Sequence, residues 1–247
     1  MRPGSLAILG IAAYSAFLVA TMPARWLAAR ASPGAYEMRA VNGTIWKGDA
    51  EAVVRVGRGT FTVDRAEWDF LPSRLLRGRV AYAMSLRGAG FEARYEAGRS
   101  LAGWSLRDLA ARADAALAAA ALPWIGPWRP EGVVSAASPA LDITEREVHG
   151  ELRLDVKGAS TALSEVRPLG SYRADVVAEG AAARLNVATV EGPLRLSGQG
   201  RLEFPSRFAF TGEARGEGTN AAALDPLLNL LGPARPDGAR AIDWRTR

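Results

Sequence analysis

Apolar and polar residues alternate along most of this chain, and the exception comes first. Leu6–Met22, LAILGIAAYSAFLVATM, carries no charge. As a helix rising about 1.5 Å per residue it spans roughly 25 Å, slightly short of the hydrocarbon core of a bilayer. Leu6, Ile8, Leu9, Ile11, Tyr14, Phe17, Leu18, Val19 and Met22 give it an apolar surface. Pro23–Trp26 extends it, and Trp26 suits the headgroup level. A membrane anchor, a cleaved signal peptide and a buried soluble helix compete for this run. It is long for a signal-peptide core, and the nearest small-x-small site, Ala29-Arg30-Ala31, lies well beyond it. The expectation is an uncleaved anchor. Arg2 before it and Arg25 and Arg30 after it nearly balance, but only Met1–Ser5 precede it, so the bulk of the chain is expected on the far side of the membrane.

Beyond an exit segment at Trp26–Ala35 the apolar period changes to two, the signature of half-buried antiparallel strands. Asn42-Gly43 predicts a two-residue hairpin turn within residues 36–48. Ala50, Ala52, Val54 and Val56 follow, then Phe61 and Val63, then Ala66, Trp68 and Phe70. After Pro72-Ser73, Val80, Tyr82, Met84 and Leu86 share one face, and Phe91, Ala93 and Tyr95 follow the Gly88–Gly90 turn. Ser105–Ala121 breaks the rhythm. Ser105-Leu106-Arg107-Asp108 resembles a capping box, and Leu106, Leu109, Ala113, Leu117 and Ala120 recur at helical spacing. Trp124, Trp128 and the prolines at 123, 127 and 130 form a stiff connection. Strands then resume from Val133 to Phe210, with turns expected at Lys157-Gly158, Glu179-Gly180, Glu191–Pro193 and Ser197–Gly200. A second helix is predicted over Asn220–Leu231, stopped by Gly232-Pro233, and a last strand over Ala239–Trp244. Arg129-Pro130-Glu131-Gly132 and Arg235-Pro236-Asp237-Gly238 each follow a predicted helix and lead into a strand. This suggests a duplication, with repeats over about 36–132 and 140–244, although Pro-acid-Gly is also a common turn.

So many one-sided strands must curl, and two helices are too few to cover their apolar face. The expected fold is mainly β: one N-terminal transmembrane helix with its exit over 1–30, then a β-rich domain over 31–247. That domain is a wide, strongly curved antiparallel sheet (half-pipe, barrel-like or sandwich) with two short helices.

Composition removes chemistry rather than adding it. The 247 residues include no Cys and a single His, His149, which closes off disulfides, thiol nucleophiles and the usual zinc sites. The net charge is +5, but the first thirty residues hold three Arg and no acid, so the remainder is nearly balanced. Interleaved Arg and acid argue against a nucleic-acid stripe. Gly88-Ala89-Gly90 leads into a strand, so it is not a dinucleotide fingerprint. Nothing selects a pair of carboxylates for acid–base work. The seven Trp serve either the core or an exposed partner or lipid surface. The reading is a protein that is not an enzyme and has no cofactor.

A set of short motifs in a fixed order carries a resemblance. Gly43-Thr44-Ile45-Trp46-Lys47-Gly48 follows a single N-terminal span; Trp68 precedes Leu75-Leu76-Arg77-Gly78; Pro130-Glu131-Gly132 lies mid-chain. Leu169-Gly170-Ser171-Tyr172, then Gly192-Pro193-Leu194-Arg195-Leu196-Ser197-Gly198, then Leu231-Gly232 with Asp237-Gly238 complete it. In this order the motifs resemble the type II secretion system protein N family over nearly the whole chain. The second-half hairpin His149-Gly150-Glu151-Leu152 departs by lacking the Thr and Trp of the first, and the C-terminus is short. The resemblance implies a single-pass inner-membrane protein of a Gram-negative bacterium, N-terminus cytoplasmic, with a periplasmic β-rich domain. It implies an accessory part of the type II secretion machinery, with the outer-membrane secretin or the inner-membrane platform proteins as expected partners. The residues themselves leave a second reading open: a lipid-binding or lipid-transfer protein with an apolar β-groove.

Overall fold

The computed structural model describes residues 14, 17–28, 36–56, 59–120, 126–203 and 207–245. Most of the expected anchor, including Leu6, Ile8, Leu9 and Ile11, therefore lies outside the described residues. Tyr14 and Phe17–Ala20 are helical and exposed. Among the described residues no helix is long and apolar enough to cross a membrane. A short helix α1 (Ala24–Ala28) follows Pro23.

Thirteen strands come next: β1 (Tyr36–Gly43), β2 (Lys47–Val56), β3 (Gly59–Phe70), β4 (Val80–Gly88), β5 (Phe91–Arg99) and β6 (Trp104–Asp114). A helix α2 (Ala115–Ala120) interrupts them. Then come β7 (Pro130–Ile143), β8 (Val148–Thr161), β9 (Gly170–Gly180), β10 (Ala182–Glu191), β11 (Leu194–Glu203) and β12 (Arg207–Gly216). A second interruption holds α3 (Asp225–Leu231), and β13 (Arg240–Arg245) ends the described chain. The strands form one sheet in sequence order, each antiparallel to the one before. β1 and β13 share no ladder, so the sheet is not closed. This excludes the barrel-like form, and the unbroken ladder excludes a sandwich of two separate sheets. A twisted sheet of thirteen strands still has to coil.

Strand register aligns the apolar residues on one continuous face. Val54, Phe61, Trp68, Met84, Tyr95, Leu106, Leu141, Leu154, Val176, Leu185, Leu202, Phe208 and Ile242 all lie on it, passed from strand to strand through the pairings. The other face is charged. Directly opposed residues pair there: Lys47 with Asp69 at 2.7 Å, Arg153 with Asp175 at 2.9 Å and Arg173 with Asp155 at 2.8 Å. Such exposed pairs contribute about 0–1 kcal/mol each and serve register more than stability.

Four local expectations are corrected. Asn42-Gly43 is not the hairpin turn, because both residues still pair with β2 (Asn42↔Asp49, Gly43↔Gly48), and the turn is Thr44–Lys47. Ser105–Ala121 is not one helix: β6 runs through Asp114, and only Ala115–Ala120 is helical. Leu106 and Leu109 have helical spacing because a bulge at Asp108 (φ 51°) inserts a residue between strand positions that face the same way. Lys157-Gly158 is a bulge inside β8 rather than a turn. Ser197–Gly200 is the middle of β11, where a Cβ at Gly198 would overlap the ring of Phe210 on β12. Gly232 does stop α3, but with φ 167°, an extended conformation; a Cβ there would collide with the Ala241 carbonyl.

The apolar face is covered unevenly. Leu224, Leu227 and Leu228 press onto it over β11–β13, packing with Val166, Leu169, Leu194, Phe210, Ala214 and Ile242. Leu231 is packed against this cluster. A much smaller cluster, Ala52, Val63 and Ala66, lies over β2 and β3. Between them Met84, Leu86, Tyr95, Leu106, Leu152, Leu154 and Val156 are only half-buried. Replacing Leu228, which is 2% exposed, with Ala is expected to cost about 2–5 kcal/mol. Leu230→Ala, two residues on at the exposed side of the same helix (62%), is expected to cost less than about 0.5 kcal/mol. Denaturant unfolding of the two variants side by side measures the difference.

Candidate functional site

The motif residues assemble at the two ends of the strands. The first assembly lies where the N-terminal segment meets the β1–β2 turn. Thr44 builds that turn: its Oγ1 accepts the Trp46 and Lys47 amides at 3.3 and 3.2 Å, and its own amide donates to the Lys47 carbonyl. This pushes Trp46 out toward the N-terminal helix, where its Nε1 donates to the Val19 carbonyl at 2.8 Å. The Ile45 amide donates to the Met22 carbonyl at 3.0 Å, and Pro23 forms a bridge with Thr44. The hairpin therefore bonds two carbonyls at the end of the apolar run, those of Val19 and Met22. Ala24 is buried in the same corner, while Trp26 points outward.

A ring stack supports this corner from behind. Trp46 packs on Phe70 with centroids 4.8 Å apart, and Phe70 on Tyr82 at 5.4 Å. Trp68 donates its Nε1 to the Thr44 carbonyl at 3.0 Å. Its ring lies over Gly48, where any side chain would overlap it. The sequence motif is thus one mechanical unit: Thr44 shapes the turn, Gly48 admits Trp68, and Trp46 holds the N-terminal segment. Phe70 and Tyr82 were not singled out by the sequence, although their alternation with Trp68 and Met84 was the available signal.

Leu75 and Leu76 belong to a 3₁₀ segment (Pro72–Arg77) at the same end of the sheet. Gly78 closes it in the left-handed conformation (φ 69°), its amide donating to the Leu75 carbonyl. Arg74 ties the segment to β5 through Glu96 at 2.7 Å. An open cleft of about 950 Å³ runs from here along β2–β6, lined by Lys47, Trp68, Asp69, Arg74, Tyr95 and Glu96 among others. Six of its charged residues form three ion pairs, Lys47–Asp69, Arg65–Glu67 and Arg74–Glu96. Among the described residues no three His, Asp or Glu side chains converge on a metal-sized point.

The second assembly lies at the opposite end of the strands. Pro130 opens β7, and Gly132 (φ 118°) sits against the Lys157–Gly158 bulge. Gly170 and Gly192 bring two backbones so close that a Cβ on Gly192 would strike Gly170. The Leu194 amide donates to the Leu169 carbonyl at 3.0 Å, and the Glu217 amide to the Pro193 carbonyl at 2.7 Å. Tyr172 donates its hydroxyl to the Leu194 carbonyl at 3.0 Å. Leu169, Leu194 and Leu231 enter the main core, and Phe210 fills the space left by Gly198. Asp237 accepts the Ala239 amide at 3.1 Å in a turn closed by Gly238 (φ 81°). These residues hold the fold; the first assembly positions the N-terminal segment.

Two predictions follow from this geometry. Trp46→Phe keeps the stack on Phe70 and removes the bond to Val19. It is expected to weaken docking of the segment by about 1 kcal/mol, read as faster hydrogen exchange at the Ile45 amide with global unfolding unchanged. Burial raises the Tyr172 pKa well above the ordinary tyrosine range, so ionisation is opposed in the fold and free in the unfolded chain. Stability from this group is complete below about pH 10 and falls as pH rises further, by up to about 1.4 kcal/mol per unit. In Tyr172→Phe that added slope is expected to vanish, measured as the difference between the two proteins in alkaline unfolding curves.

Comparison with known proteins gives the same answer as the motifs. Residues 35–243 match the family described as Type II secretion system (T2SS), protein N. The chain is also similar to the type II secretion system protein N of Pectobacterium carotovorum subsp. carotovorum: 24% identical over 265 residues, covering 100% of this chain and 99% of the relative. No solved structure matches. With the family match spanning the sheet from before β1 into β13, the chain belongs to the type II secretion system protein N family.

Proposed function

We propose that this protein is a non-enzymatic accessory component of type II secretion, anchored in the inner membrane by Leu6–Met22 and binding other secretion subunits through its periplasmic sheet. The observation that carries this reading is the extent of the family match, which takes in nearly all of the sheet. This extent supports a role spread over the sheet as a whole. The N-terminal helix ends docked on that sheet through Trp46 and Ile45, which suits a domain held at a fixed place beside the membrane. β1 is an edge strand, and edge backbone is a ready template for a partner strand. The expected partners are the secretin or the inner-membrane platform proteins. The domain starts near residue 31, and the six strands before each of α2 and α3 are consistent with a duplicated ancestor.

The half-buried apolar residues over β4–β8 favour one second reading, an apolar groove that takes acyl chains. The two readings separate in one experiment. A photo-crosslinker placed along β1 in intact cells is expected to capture a secretin or platform subunit, and deletion of the gene to reduce export of secreted proteins. Native mass spectrometry of the purified full chain reports on lipid. Bound phospholipid with no subunit captured and export unchanged would select the second reading.

A further inference from the structure

We propose that the end of the sheet nearest the N-terminal segment lies against the bilayer surface, with the β3–β4, β5–β6 and β7–β8 connections as a membrane-contacting rim. The inference rests on the reading of Leu6–Met22 as a span. The topology decides which connections belong to this end. Because every strand is antiparallel to its neighbour, the turns after β1, β3, β5 and β7 all lie on one side of the sheet, and the β1–β2 turn is the one bridged to Pro23. The two most exposed large apolar side chains, Leu76 and Leu101, lie at that end with four others, whereas Leu163, Val190 and Leu230 are the exposed ones at the opposite end. Leu75, Leu76 and Val80 lie in or beside the β3–β4 connection, Leu101 and Trp104 in or beside the β5–β6 connection, and Ile143 ends β7. Leu76 is 91% exposed, and Leu101 is fully exposed. Neither packs in either apolar cluster.

Chemistry identifies the occupant as lipid. Arg77 and Arg79 flank Gly78 beside Leu76 and form no ion pair among the described residues. Arg99 lies over the ring of Trp104, 4.9 Å from its centroid. Apolar tips with adjacent Arg and Trp match the acyl–headgroup boundary of an anionic leaflet, where the tips enter and the guanidinium groups remain with phosphate. The β7–β8 turn adds Glu145 and Glu147 to Arg146, so the positive charge comes from the β3–β6 side. Height agrees as well. Trp46 bonds Val19, in the last turn before Met22, so the hairpin already stands at the level where the apolar run ends. The turns beside it at the same end of the sheet extend the proposed contact outward from that point.

The absence of Cys makes the test direct. Leu76→Cys and Leu101→Cys at the rim, Leu163→Cys and Leu230→Cys at the opposite end, and Phe17→Cys in the apolar run are each labelled with an environment-sensitive nitrobenzoxadiazole dye. The labelled full chains are reconstituted in nanodiscs of phosphatidylethanolamine and phosphatidylglycerol, with and without spin-labelled lipid. The expected result is blue-shifted emission and severalfold stronger quenching at positions 76 and 101 than at 163 and 230. Arg77→Glu with Arg79→Glu should lower quenching at 76, most in phosphatidylglycerol-rich discs. Quenching at 17 with none at 76 and 101 would overturn the rim while leaving the span intact. No quenching at any position would overturn both. Rim labels that are shielded in native membranes yet water-exposed in nanodiscs would assign the surface to a protein subunit and overturn the lipid assignment.

Discussion

Everything in this molecule depends on one uninterrupted ladder of backbone hydrogen bonds in which each strand pairs with the strand before it. The ladder satisfies the main chain across the whole sheet without needing a closed barrel. It also carries the main apolar series onto one face, because register passes the alternation from strand to strand unchanged except at bulges. What the ladder does not supply is cover. α3 and the segment holding Val166 and Leu169 bury that face over the last strands, whereas the middle strands keep theirs half-open. Stability is therefore concentrated near the C-terminus, and the available apolar surface lies over the middle strands.

The same division separates the motifs. Those of the second half build the core: a close glycine crossing, a tyrosine bonded to a neighbouring strand's carbonyl, a glycine that receives Phe210. Those of the first half build an attachment, in which indole and amide groups of a hairpin grip the carbonyls of a helix end. The two tasks make different demands on sequence. A core tolerates exchange of similar volumes, but the attachment needs the indole N–H of Trp46, the hydroxyl of Thr44 and the bare Cα of Gly48.

Much of this was legible in the residues. Period-two alternation located nearly every strand, and a wide sheet with one apolar face followed from their number. The errors share a cause. Ala occupies apolar positions in both helix and strand here, so Ala110 and Ala111 gave no vote and Ala113 fitted a helical period, while a bulge at Asp108 converted strand spacing into apparent helical spacing. Glycines were read as turns by their local preference. At Gly198 and Gly200 the reason for glycine is instead a ring or a leucine on the adjoining strand, which no local window contains. The hairpin motif was recognised as a pattern, but its grip on Val19 joins residues 27 positions apart and became visible only in three dimensions.

Pairing in strict chain order has a consequence for how the fold is made. Contact order is low for a β-protein, since no ladder waits for a distant partner. A chain emerging N-terminus first can add strands one at a time, each new hairpin templated by the exposed edge of the last. β13 becomes the last edge, and the larger of the cores among the described residues forms only when α3 folds back over the sheet. Assembly is thus a polymerisation within a single chain, completed when the C-terminal helix covers the last strands.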